Sequence, residues 1–193
     1  LYAMACPECI TVEPTMACDA PEDLYAEQSA DEDGVILTWP YTQAMSEWLY
    51  YDDGVNVDAI GGPASFYWGV RFPASTMQEY AGTSLTKVYY ESHNETNTGD
   101  ILIYLGGEHS PETLVHTQPY NADKVDTAFE FELTKPIEID ASKSLWIAMK
   151  NNTGQYIASV TETNANVPDG RWNSDDGENW YDLAEDGLED IIW

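Results

Sequence analysis

Apolar side chains recur along this chain at every second position. In residues 65–72, SFYWGVRF, the set Phe66, Trp68, Val70 and Phe72 shares one face, while Tyr67, Gly69 and Arg71 take the other. That period of two is how a half-buried strand reads. Val88 and Tyr90 repeat it, as do Ile101, Ile103 and Leu105. Phe129, Phe131 and Leu133 alternate with Glu130 and Glu132, and Ile137 and Ile139 with Glu138 and Asp140. Leu145, Ile147 and Met149 continue the pattern, followed by Tyr156, Ala158 and Val160. The runs are short, rich in β-branched and aromatic residues, and parted by Gly, Pro, Asn and Asp, which predicts an all-β chain folded as an antiparallel β-sandwich. Trp68 and Trp146 lie inside alternating runs and are expected in its interior.

One short helix interrupts the strands. In PASTMQEYAG, Ser75 can cap, Gln78 can reach back as the third helical residue, and Gly82 stands where a helix ends. Residues 19–47 differ in kind, with two strand candidates at 24–28 and 35–39 hinged at DEDG. Two strands alone are marginal in water, so this pair calls for a further sheet, from the sandwich that follows or from another polypeptide.

The 193 residues give room for one domain of ordinary size, about 100–150 residues, plus a fragment. With 43% apolar residues, 13 Tyr and 7 Trp, the chain can build a core despite its charge of −28. That charge is uneven: residues 1–70 hold 13 acids and residues 172–193 hold 8, with no Lys or Arg in either stretch. Such a surface repels phosphate backbones and anionic lipid, which argues against nucleic acid and against membranes as partners. It serves solubility, or a salty or calcium-rich habitat. No apolar run approaches the ~20 residues of a membrane helix. Cys6, Cys9 and Cys18 are the only cysteines. Zinc would need four ligands, so one disulfide within residues 6–18 in a secreted chain is the better expectation, the third thiol free or paired outside that segment.

Two stretches carry candidate chemistry. In WLYYDDGVNVDAIGG, residues 48–62, Asp52, Asp53, Asn56 and Asp58 place four hard oxygen donors within seven residues, a donor set suited to Ca²⁺. The spacing departs from a helix–loop–helix calcium site, and Asp-Gly, which occurs five times, is also a preferred hairpin turn. Turn and cation site are compatible readings, and Asp175-Asp176-Gly177 repeats the element. Near the C-terminus, Trp172, Asn173, Trp180 and Tyr181 mix rings that stack on sugars with amides that bond hydroxyls. Catalytic motifs are absent from the sequence: there is no nucleophile elbow, zincin or phosphate-loop pattern, and His93, His109 and His116 are scattered. Asn94 and Asn151 begin N-glycosylation triplets.

CDAPEDLYAEQSADEDGVILTW resembles the opening of a fibronectin type III module, with Cys18, Pro21 and Leu24 leading into a first strand and Val35, Leu37 and Trp39 marking a second. WLYYDDGVNVDAIG, FYWGVRFPASTMQEYAGTSLTKVYY, ILIYLGGEHSPETLVHTQ, FELTKPIEIDASKSLWIAMK and RWNSDDGENWYDL are similar to jelly-roll-like sandwich modules that adjoin such repeats in secreted adhesins and peptidases of the Bacteroidetes. The resemblance spans residues 18–193. It implies a Cys-containing extension at 1–18, a partial fibronectin-like segment at 19–47 and a jelly-roll-like sandwich at 48–193. It further implies a non-catalytic, extracellular or surface-held module that binds a protein or glycan. Two strands fall short of the seven in a full fibronectin module. The alternative is a filament subunit whose N-terminal extension adds strands to a neighbouring copy.

Overall fold

The computed structural model describes residues 25–28, 35–38, 47–52, 54–61, 66–152, 158–162 and 167–193, with backbone geometry alone for 25–28, 35–38 and 158–162. The three cysteines, the DEDG hinge, Asp53 and Tyr156 lie outside the described residues. Two units are separate, Leu1–Met45 and Ser46–Trp193. In the first, β1 (Tyr25–Gln28) and β2 (Val35–Thr38) pair antiparallel as a two-stranded sheet, Tyr25 opposite Thr38 and Gln28 opposite Val35.

The second unit is an antiparallel sandwich, compatible with a jelly-roll-like module. Its strands are β3 (Asp58–Ile60), β4 (Tyr67–Phe72), β5 (Ser84–Ser92), β6 (Asn97–Leu105), β7 (Thr113–Ala122), β8 (Thr127–Glu138), β9 (Leu145–Asn151), β10 (Ala158–Glu162), β11 (Trp172–Ser174), β12 (Tyr181–Asp182) and β13 (Ile191–Ile192). One sheet runs β12-β11-β4-β9-β6-β7 and the other β13-β10-β5-β8, with β3 also on β10. Successive strands change sheets except at the β6–β7 and β11–β12 hairpins. Among the described residues no helix is long and apolar enough to cross a membrane.

The period-two sets meet between the sheets. Trp68, Phe72, Ile101, Ile103, Leu145 and Met149 from the six-stranded sheet face Val88, Tyr90, Leu133 and Ile137 from the other. Trp146 is buried as expected, but on the opposite face of its sheet, with Leu102, Ala148, Trp172 and Trp180. The strand β9 is therefore packed from both sides. Residues 129–138, two runs in the pattern, enter one long strand, yet its register against β5 jumps between Leu85 and Lys87, which leaves Leu133–Pro136 arched between the paired stretches with Leu133 still turned to the core.

The helix is shorter and capped differently from the expectation. The helix α1 (Ala74–Met77) starts after Pro73, whose carbonyl accepts from Thr76 N at 2.9 Å and Met77 N at 3.1 Å. Ser75 lies inside it and caps nothing, because Pro73 already supplies the extended N-cap backbone. Gln78–Tyr80 then tighten into a 3₁₀ turn. A capping box does occur at Leu183–Asp186: Asp182 accepts from Ala184 N, and Glu185 reaches back to Asp182 N. Gly187, in the left-handed region at φ 77°, ends that turn where a side chain would be strained.

Candidate functional site

Residues 48–51 alternate in burial. Leu49 and Tyr51 turn inward against the core. Tyr51 stacks on Phe72 at 5.2 Å and 14°, and its hydroxyl donates to Arg71 O at 2.8 Å. Burial, reinforced by the charge of Asp169, pushes the Tyr51 pKa up. Trp48 and Tyr50 turn out, 43% and 69% exposed.

The oxygen donors that follow each have a separate local partner. Asp52 Oδ1 accepts from Gly54 N at 2.7 Å, an Asx turn that Gly54 completes at φ 75°. Asn56 Oδ1 lies 2.8 Å from His93 Nδ1. Asp58, exposed at the start of β3, accepts from Ala59 N at 2.8 Å. Among the described residues no three His, Cys, Asp or Glu side chains gather as metal ligands. In this arrangement Asp52 closes a turn, Asn56 meets the β5–β6 turn through His93, and Asp58 bonds the first amide after it.

The C-terminal aromatics divide between core and surface. Trp172 and Trp180 are 7% and 8% exposed. They pack on Trp146, ring centroids 5.3 Å and 5.7 Å away, so their faces meet another ring and not solvent. Room for them comes from small neighbours: Trp172 stands opposite Gly69 on β4, which in turn stands opposite Ala148 on β9. Residues 174–180 fold over this layer through Asp176. Its carboxylate accepts from Asn179 N at 2.8 Å, Asn179 Nδ2 at 2.7 Å, Glu178 N at 2.8 Å and Ser174 Oγ at 3.1 Å. The Asn179 and Glu178 donors hold that carboxyl well below the usual carboxylate range. Asn173 Nδ2 donates to Tyr181 O at 3.3 Å, and Tyr181 is the open ring of the three.

A different aromatic group lies open on the other sheet. Trp48 meets Tyr89 of β5 edge-to-face at 6.1 Å, and Tyr89 is 49% exposed. Its hydroxyl donates to Glu91 Oε2 at 3.2 Å, and Glu130 stands directly opposite on β8. Partial removal from water, then the charges of Glu91, Asp52 and Glu130, raise the Tyr89 pKa. Sequence reasoning had passed over this patch. The signal was present in WLYY, where inward Leu49 and Tyr51 force Trp48 and Tyr50 outward, and in KVYYE, where inward Val88 and Tyr90 do the same to Tyr89.

The buried polar groups serve the framework. Asn151 Oδ1 accepts from Trp68 Nε1 at 3.1 Å, Asn97 Nδ2 at 2.9 Å and Tyr120 Oη at 2.9 Å. Arg171, 3% exposed, pairs with Asp182 at 2.5 Å and donates to Glu189 O. Arg71 joins Asp169 at 2.6 Å to Glu108 O at 2.7 Å. A groove of about 710 Å³ is lined by Leu105, Val115 and the Lys135–Ser142 stretch. Comparison of the chain with protein-family profiles, with curated proteins and with solved structures found no match.

Proposed function

We propose that the chain is a non-catalytic binding module, extracellular or surface-held and part of a larger secreted protein, which meets a protein or glycan partner through the outer face of its five-stranded sheet. The observation that carries this reading is the Trp48–Tyr89 pair: two large rings, 43% and 49% exposed, held in mutual contact beside the still more exposed Tyr50. Grouped apolar surface on a soluble protein marks an interaction site more often than scattered single residues do. The broad face of the six-stranded sheet is covered around Trp146, which favours the other sheet for contact. Hydrogen bonding of Asn97, Asn151, Ser92 and Arg171 to framework groups supports a structural interior. The resemblance to jelly-roll-like modules beside fibronectin type III segments, in adhesins and peptidases of the Bacteroidetes, points the same way.

The test is to screen the immobilised protein against extracellular glycans and cell-surface proteins, with the Trp48→Ala/Tyr89→Ala double variant alongside. A partner bound by the native chain and lost by the variant supports the module. Binding unaffected by the double substitution removes the patch from the reading.

A filament subunit is favoured by one separate observation, the two-stranded sheet of β1 and β2 in a unit of its own. Such a pair gains stability by joining a third strand. Size-exclusion chromatography with and without residues 1–45 distinguishes the readings: loss of assembly on truncation identifies a subunit, and a monomer in both forms identifies a module.

A further inference from the structure

The Trp48–Tyr89 patch has a charge as well as a shape. On the outer face of β5, Tyr89 lies between Lys87 and Glu91, with Glu130 opposite it and Glu132 opposite Lys87. The base in this group is already engaged, Lys87 Nζ standing 3.2 Å from Glu130 and 3.7 Å from Glu132. Three carboxylates thus share this part of the face with one ammonium, which pairs with two of them, and Asp52 adds its charge to the field at Tyr89. Aromatic faces carry partial negative charge, and rings bordered by carboxylates suit a cation, whereas a phosphate or sulfate is repelled.

Resting on the reading that this patch is the contact surface, we propose that its partner is a basic protein segment, with a lysine ammonium or arginine guanidinium seated against Trp48 and Tyr89 and paired with Glu91 and Glu130. A second copy of the chain is a poor occupant. Against 35 acids it has 7 bases, of which Arg71, Lys87, Lys143 and Arg171 already sit in ion pairs, and like-charged copies repel. A neutral sugar can stack on the rings but draws nothing from the field around them.

Titration of the whole chain with a fluorescent oligolysine peptide and with a neutral oligosaccharide, at constant ionic strength, tests this. Since any polycation is drawn to a chain of charge −28, the deciding variants leave charge unchanged. Trp48→Ala and Tyr89→Ala should each weaken oligolysine binding by roughly two- to fivefold. Tyr89→Phe keeps the ring and should bind close to the native level. Glu91→Gln should weaken binding and flatten its salt dependence. Oligolysine held equally by the native chain and both alanine variants would mean diffuse charge attraction alone and would overturn the proposal. Saccharide binding that needs Trp48 and Tyr89, without ring-dependent oligolysine binding, would overturn it and keep the module. Binding of neither probe or any screened partner would end both.

Discussion

The side-chain amide of Gln118 fastens Thr134 across the gap between the two sheets. Gln118 Oε1 accepts from Thr134 N at 2.7 Å while Gln118 Nε2 donates to Glu132 O at 2.8 Å. Gln118 belongs to β7 and Thr134 to β8, the outermost strands of their sheets on this side. One carboxamide thus satisfies two backbone groups at the arch where β8 parts from β5. Replacing Gln118 with Ala should cost about 1–2 kcal/mol, two ordinary net hydrogen bonds at a partly exposed site. Urea unfolding measures this, and an unchanged midpoint would show that water replaces both bonds freely.

Asn151 should prove more expensive to lose. Its carboxamide oxygen serves Trp68, Asn97 and Tyr120 at once, in the interior. Asn151→Ala removes the acceptor for three buried donors, and at ~1–3 kcal/mol for each stranded group the loss should reach about 3 kcal/mol or more. Asn152→Ala, at the exposed neighbouring position, should stay within about 0.5 kcal/mol. Equal midpoints for the two variants would show that the Asn151 cluster adds no stability.

Alkaline pH should unfold the protein through its interior tyrosines. Burial pushes Tyr90 up to about 12, with its hydrogen bond to Asn97 pulling partly back, and it raises Tyr51 and Tyr120 as well. These hydroxyls are more readily ionised in the unfolded chain. Their contribution to stability is therefore complete below the ordinary value of 10.0 and is lost as pH climbs from there through about 12. Tyrosinate absorbance and far-UV circular dichroism followed together should show these three ionising with unfolding. Full tyrosine ionisation in a still-folded chain would contradict it.

Chelation tests the loop at residues 52–58. Because Asp52, Asn56 and Asp58 each have a partner within the chain, the melting temperature should be the same in calcium and in chelator. A rise with calcium that Asp53→Ala erases would show these oxygens regrouping around the ion.

What the sequence made legible follows from how each residue is covered. Strands with a greasy face against the core, such as β4, β5 and β9, announce themselves by alternation. The strand β7 does not: Leu114 is exposed, His116 is buried, and Pro119 sits in an edge strand that needs no donor there, so the pattern is broken. The short strands β3, β11 and β13 are held by neighbours distant in sequence, β12 is held only by its hairpin partner β11, and all four carry little periodic signal of their own. Ring type alone does not reveal what lies above a sheet: Trp172 and Trp180, candidates for sugar stacking, are largely covered in this structure. Burial likewise separates the two glycosylation triplets: Asn94 is exposed at the β5–β6 turn, whereas Asn151 is 1% exposed.

The roofing of Trp146 has a mechanical consequence. Sandwiched between two apolar layers, β9 is shielded from water above and below, and its neighbours β4 and β6 guard its flanks. Its amide hydrogens should be among the last in the molecule to be replaced by deuterium, and the rest of the fold can loosen around it as around a spine. A proteolytic nick elsewhere should leave that spine standing.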